Sequence, residues 1–445
     1  MARQDEHPTV RAVRERGLLE PAGVARIDRE ELRRICRDAG ADDCGFVSVD
    51  RKELDEERAE VLQLFPSTKT LISLVCRMNP DAVRSPTRSL ANHEFHETGD
   101  AVNDAARRIV GALAERGIRA VNPPMAFPME MDRFPGKVWN LSLKPLAVAA
   151  GLGQMGIHRN VIHPRFGNFI LLGAVLVDAE VEGSADAPID YNPCLGCKLC
   201  VAACPVGAIG QDGYFDFSAC MTHNYREFLG GFTDWVETVA NSSNAEGYRS
   251  QVTDSESASV WQSLAFGPNY KAAYCLAVCP AGEDVIRPFL GDRARFVGEV
   301  VRPLQAKQEA VYVQPGTDAE AYVAKRFPHK RIRHAGGVTR PTSVALFLKL
   351  MQHSFQRGRA AGLDAVYHFR FTGAELMSGT VTIRDQKLHV QEGLQGQCDL
   401  RITADSAAWV RMLRKEVGPV RLLLTGKVRL WGDPRLFAAF GRCFP

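Results

Sequence analysis

The stretch Asn192-Pro193-Cys194-Leu195-Gly196-Cys197-Lys198-Leu199-Cys200-Val201-Ala202-Ala203-Cys204-Pro205 constrains this chain more than any other. Its spacing is C-x2-C-x2-C-x3-C-P. That pattern places three thiolates around one face of a cubane iron–sulfur cluster, while the fourth Cys leaves at the start of a helix and ligates a different cluster. Thiolates are soft ligands suited to iron, and hydrogen bonds and burial then tune the potential. A four-Cys zinc site usually splits its pairs by a longer loop and has no Cys-Pro ending. The motif predicts a 4Fe-4S cluster and demands a second motif elsewhere.

Tyr274-Cys275-Leu276-Ala277-Val278-Cys279-Pro280 repeats the ending, C-x3-C-P. In two-cluster arrangements the Cys before each Pro crosses over to the other cluster. The first cluster is therefore expected on Cys194, Cys197, Cys200 and Cys279. The second takes Cys204 and Cys275, with Cys220 as a third thiolate; the position where the repeat would carry a fourth Cys is Ala272. Three outcomes stay open for it: a 3Fe-4S cluster, a 4Fe-4S cluster with a non-Cys ligand such as His223, or one with an open iron. The plainer alternative is a single cluster, with Cys220 and Cys275 merely buried as free Cys often are.

At 445 residues the chain has room for two or three domains. A net charge of +3 is too small to argue for nucleic acid or a membrane surface. No apolar run approaches membrane-spanning length, and the first residues lack the apolar centre of a secretory signal. A cytoplasmic protein is expected. There the 12 Cys serve as thiols or metal ligands, not disulfides. Cys36, Cys44, Cys76, Cys398 and Cys443 lie in apolar patterns and read as core.

Asp28-Arg29-Glu30-Glu31 is a helix start, followed by Leu32, Ile35, Cys36 and Ala39 on one face and Gly40 as the stop. Residues 44–49 and 70–76 read as buried strands, 101–116 as an amphipathic helix, and 169–177 as another strand. Residues 1–190 thus form an α/β domain. Within it, 122–136 is a Pro- and Met-rich irregular loop; Glu130 and Asp132 on it are candidate proton donors. Gly151, Gly153 and Gly156 form a glycine run that lets backbone approach a cofactor closely, and His158 and Arg159 complete the candidate catalytic and cofactor-binding set. Its spacing is not that of a dinucleotide fingerprint. Residues 191–290 carry the clusters, with a polar insertion at 230–262. Residues 291–340 read as a linker, whose basic run 325–334 is taken as a solvated face. From 341 to 445 a helix, alternating strands at Tyr367, Phe369 and Phe371, Val381 and Ile383, Leu400 and Ile402, and a helix capped by Asp405 make an α+β module.

Two resemblances follow. Ala150-Gly151-Leu152-Gly153 through Gly156, then Phe166-Gly167, Leu172-Gly173-Ala174-Val175 and Asp178 before the Cys motif, resemble the reductive dehalogenase and epoxyqueuosine reductase superfamily over roughly residues 30–290. That resemblance implies a nitroreductase-like core binding cobalamin, fed with electrons by a ferredoxin-like dicluster module. It also implies an oxidoreductase that draws on a low-potential donor, ferredoxin or flavodoxin. The pattern departs where epoxyqueuosine reductases carry an acidic donor before the glycine run: here stand Lys137 to Leu141, which argues against tRNA as substrate. The second resemblance joins Phe371-Thr372-Gly373, Gly379 to Ile383, Asp399-Leu400-x-Ile402 and Thr425-Gly426-Lys427-Val428 to type-2 sterol carrier domains. It implies a tunnel for an apolar small molecule or lipid, or a module that supports a homodimer. The expected architecture is α/β and α+β, multidomain. The expected function is reduction of an apolar, lipid- or steroid-like substrate; the alternatives are an electron-transfer or lipid-binding protein without chemistry of its own, or a flavin-dependent variant.

Overall fold

A computed structural model describes residues 6–16, 25–125, 129, 139–183, 186–336 and 340–445. The N-terminal region is built on a four-stranded antiparallel sheet. Its strands lie in the order Asp43–Ser48, Thr70–Arg77, Ile170–Val177 and Ala120–Val121. Thr70–Arg77 is buried along all but its last residue because both faces of the sheet are covered. Leu71 and Val75 point into a core with Leu146, Ala147 and Leu172; Ile72 and Leu74, one step out of phase, enter a core with Leu32, Ile35 and Ile109.

Helix Arg29–Asp38 starts as expected, with the Asp28 carboxylate accepting the Glu31 N–H at 2.9 Å. The helix expected at 101–116 runs instead from Arg88 to Ala114. Its first half lacks a clean apolar stripe because buried polar residues, Arg88 and Asn92, bond the cluster region there. Gly173 lets this helix lie close on the sheet: a Cβ there would fall 2.5 Å from Val102 Cγ1.

The supposed linker is folded. Strands Ala310–Val313 and Arg331–His334 pair in parallel around helix Asp318–Arg326. Leu304, Val311, Val313 and Val323 share a core with Cys200, Cys204 and Val278. Gly316, at φ 80°, and the N-cap Thr317 open that helix. The basic run is not simply a solvated face either: Lys330 is buried and bonds Glu309 Oε1 (2.7 Å), Leu304 O and Lys307 O. The polar insertion likewise forms three helices, Gly231–Asn241, Ala245–Gln251 and Asp254–Phe266, the last opened by a Thr253/Glu256 capping box.

In the C-terminal module five strands are ordered Lys387–Glu392, Met377–Arg384, Ala365–Thr372, Leu400–Asp405 and Val428–Gly432. One central pair, Ala365–Thr372 with Leu400–Asp405, is parallel, so the sheet is mixed where alternation suggested antiparallel pairing. Helices Val344–Ser354, Ser406–Leu413 and Arg435–Cys443 pack on it around Phe347, Phe369, Trp409 and Phe440. The module rests on the cluster region through helix Val344–Ser354 against helix Phe217–His223. Arg357 pairs with Asp212, and Tyr214 Oη donates to Phe355 O at 3.3 Å.

Candidate functional site

Both cysteine motifs fold the same way. Each enters a short helix, Leu199–Ala203 or Tyr274–Ala277, from a left-handed residue: Lys198 at φ 56° and Ala273 at φ 51°, each two positions before a Cys. The turn before Cys275 is clamped from three sides. Arg88 Nη2 donates to Ala272 O at 2.9 Å with its guanidinium over the Tyr274 ring, Asn92 exchanges two bonds with the Tyr270 backbone, and Asn224 Oδ1 accepts the Ala273 N–H at 2.7 Å.

Cys194, Cys197, Cys200 and Cys279 line one cavity together with Ile157, His158, Ile162 and Lys198. The four predicted ligands of the first cluster therefore meet, although Cys279 comes from the distant motif. The Ile157 N–H donates to Cys194 Sγ at 3.4 Å. Burial, then the neighbouring Cys197, pushes Cys200 up to about 12; burial also pushes Cys279 up to about 12. Among the described residues no three His, Cys, Asp or Glu side chains are gathered closely enough to hold a single ion. A mononuclear zinc would need its sulfurs about 3.8 Å apart, at Zn–S distances of about 2.3 Å. Four thiols lining one cavity are the donor set that a cubane cluster takes.

The second set also meets. Burial dominates the raised pKa values of Cys204, Cys220 and Cys275; Cys275 reaches about 12, and Cys204 acts on both of the others. Cys220 and Cys275 are half-buried and Cys204 is buried. Ala272 is 4% exposed and contributes no ligand. His223, the non-Cys candidate, is buried, and among the described residues its Nε2 has no partner. Its Nδ1 accepts the Tyr312 N–H at 3.3 Å, and burial, then Lys271, Lys330 and Arg226, lowers its pKa to about 3. None of those charges is among the groups acting on Cys220, which are Cys275, Cys204, Lys144 and Asp216. The cation facing the trio is Lys144, whose Nζ donates to Arg159 O (2.6 Å) and Asn160 Oδ1 (3.1 Å). Beside it lie Tyr225 and Tyr270, ring centroids 5.4 Å apart; burial raises both hydroxyls, with Cys220 and Cys275 adding to the effect on Tyr225. Lys144, Tyr225 and Tyr270 carry no sequence motif, and nothing in periodicity marks them.

The other candidate residues fall differently. Glu130 and Asp132 lie outside the described residues. The Arg159 side chain is exposed, and its carbonyl, not its guanidinium, serves the site. His158 is 4% exposed, and burial, then Lys144, lowers its pKa to about 4; it is neutral at pH 7 and borders the first thiol set, so it is no acid for a substrate. The glycine run is not a cofactor cradle. A Cβ on Gly151 would meet Ala187 O at 2.5 Å, one on Gly153 would meet Ile162 O at 2.5 Å, and one on Gly156 would meet Ile162 Cδ1 at 2.8 Å and His158 Cε1 at 2.9 Å. What approaches these glycines is the chain itself. They do not fit a corrin.

A second cavity of about 420 Å³ lies under the inserted helices. Its charges pair internally: Glu227 with Lys271, Ser259 and Ser263, Arg226 with Asp234, and Arg333 with Glu256.

Comparison with known proteins places these features. Residues 187–210 match the 4Fe-4S binding domain and residues 347–445 the SCP-2 sterol transfer family. Epoxyqueuosine reductase of Gloeobacter violaceus is 25% identical over 209 residues, covering 45% of this chain and 60% of that protein. That of Escherichia coli is 33% identical over 91 residues, 20% of this chain and 23% of that protein. The chain thus spans less than two thirds of the length of these relatives. Among solved structures, epoxyqueuosine reductase from Streptococcus thermophilus aligns over 62% of this chain and 75% of its own at 15% identity (TM-score 0.37). The reductive dehalogenase NpRdhA aligns over 62% and 34% at 14% identity (TM-score 0.38). Sterol Carrier Protein 2 Like 2 from Aedes aegypti aligns over 22% and 92% at 19% identity (TM-score 0.18). No helix among the described residues is long and apolar enough to cross a membrane. The chain is a mixed helix-and-sheet, multidomain protein that is similar to epoxyqueuosine reductases over part of its length, with a 4Fe-4S binding domain match at residues 187–210 and an SCP-2 sterol transfer match at residues 347–445.

Proposed function

We propose that this chain is an iron–sulfur oxidoreductase. The observation that carries the reading is the exchange of cysteines: Cys279 of the second motif joins the first thiol set, and Cys204 of the first motif joins the second. Two such sets held by Cys194, Cys197, Cys200 and Cys279, and by Cys204, Cys220 and Cys275, would supply one-electron transfer when loaded. The first set lies beside surface-exposed Leu195, where a ferredoxin or flavodoxin can approach. The second faces Lys144 and Tyr225, which supply a cation and a hydroxyl proton at the inner end. The raised Tyr225 pKa keeps that proton in place at neutral pH.

The finer reading, a corrinoid acting on an apolar lipid- or steroid-like acceptor, draws on the resemblance and on the sterol-carrier domain. The glycine run turns its Cβ side to the chain itself and leaves a corrin no face there. A modified nucleoside acceptor, as in the relatives' name, is the second reading; the 209-residue match favours it.

Iron and sulfide analysis with electron paramagnetic resonance of the anaerobically reconstituted chain tests the proposal. Seven or eight iron per chain in two clusters is the expected result. Four or fewer overturns the two-cluster reading. Failure to retain a corrin absorption band after loading with cobalamin and gel filtration removes the corrinoid version alone.

A further inference from the structure

His158 is a buried histidine with half of its hydrogen bonding unaccounted for. Its Nδ1 accepts the Asn160 N–H at 3.1 Å, so the neutral ring carries its proton on Nε2. That Nε2 is buried and, among the described residues, has no partner. A buried donor left unpaired carries the full desolvation penalty of that group. The ring is held firmly: Asn160 is itself tied through Oδ1 to Lys144 Nζ, and the absence of a side chain at Gly156 makes room for the imidazole. The same ring lines the cavity formed by Cys194, Cys197, Cys200 and Cys279.

Resting on the cluster reading above, we propose that His158 donates its Nε2–H to a sulfur of the first cluster and thereby raises that cluster's reduction potential. Reduction adds one electron, and an N–H donor stabilises the added charge on sulfur. The Ile157 N–H on Cys194 Sγ is a backbone donor that no side-chain substitution removes. His158 is the adjustable one. It is a positioning residue for the electron, not a catalytic residue.

The test is a redox titration of the reconstituted full chain followed by electron paramagnetic resonance, with Cys220→Ala used to identify the first cluster's signal. In His158→Phe the first cluster should become about tenfold harder to reduce, which is about 59 mV for a one-electron couple, while the second cluster moves less. His158→Gln, which keeps a donor, should recover part of the shift. An unchanged first potential in His158→Phe overturns the proposal. Should that variant fail to load iron, the wild-type chain decides. Grown on 15N-histidine, its reduced first cluster should show a weak coupling to one imidazole nitrogen in pulsed resonance, and no coupling overturns the assignment. Absence of iron from the wild-type chain would instead remove the cluster reading itself.

Discussion

The two thiol sets are built from copies of one turn, yet they end differently. The first is complete in Cys, borders the surface at Leu195, and takes donors from the Ile157 backbone and the His158 edge of its cavity. The second has three Cys, lies deeper, and faces an ammonium and two phenols. Identical local geometry therefore does not make identical sites. The partners brought by the long helix and by the Gly156–Asn160 turn set the difference: one site is suited to accept electrons, the other to spend them beside protons.

Several changes would break or sharpen that contrast. Cys279→Ala should have the largest effect, removing the first cluster and about half of the iron while the second signal persists; an iron count unaffected by the change would show that Cys279 is no ligand. Ala272→Cys should complete the second repeat. If that site holds three iron, the count should rise from seven to eight and the three-iron resonance should disappear. Lys144→Met removes the cation facing the second set and should lower that cluster's potential by roughly 60 mV, about tenfold in equilibrium, with the first cluster moving less. The smallest change concerns Asp216, which caps the Cys220 helix through the Ala219 N–H at 2.8 Å. Burial raises this carboxyl from its ordinary 3.8 to about 6. The folded state then binds more protons than the unfolded state between those values, so stability falls as pH rises from about 4 through 6. Asp216→Asn keeps the cap and should be more stable at pH 7 by on the order of 2–3 kcal/mol, with little difference at pH 4, in urea unfolding.

The candidate ligand cysteines were legible because ligation imposes spacing on the chain directly. The sheet strands were legible for a similar reason: 70–76 and 169–177 are apolar runs that only a doubly covered sheet can bury. Arg88, Lys144, Tyr225 and the fold of 291–340 were not. Arg88 interrupts an apolar stripe, and its value lies in a carbonyl far along the chain. Lys144 looks like any helix-surface cation until Asn160 and the thiols surround it. His223 shows the converse. Spacing put it near Cys220, and only the folded chain shows that the Tyr312 N–H takes its Nδ1 and leaves its Nε2 as the free edge among the described residues.

The clamp of Arg88 on Ala272 joins residues 184 positions apart. A contact of that span closes only after the intervening chain has been ordered, and its loop entropy is met late. The second thiol set therefore depends on a long-range closure as well as on its own turn. Nascent chains offered iron too early would present the Cys194–Cys204 run without its distant partners. Maturation of this protein is therefore a question of timing as much as of ligands.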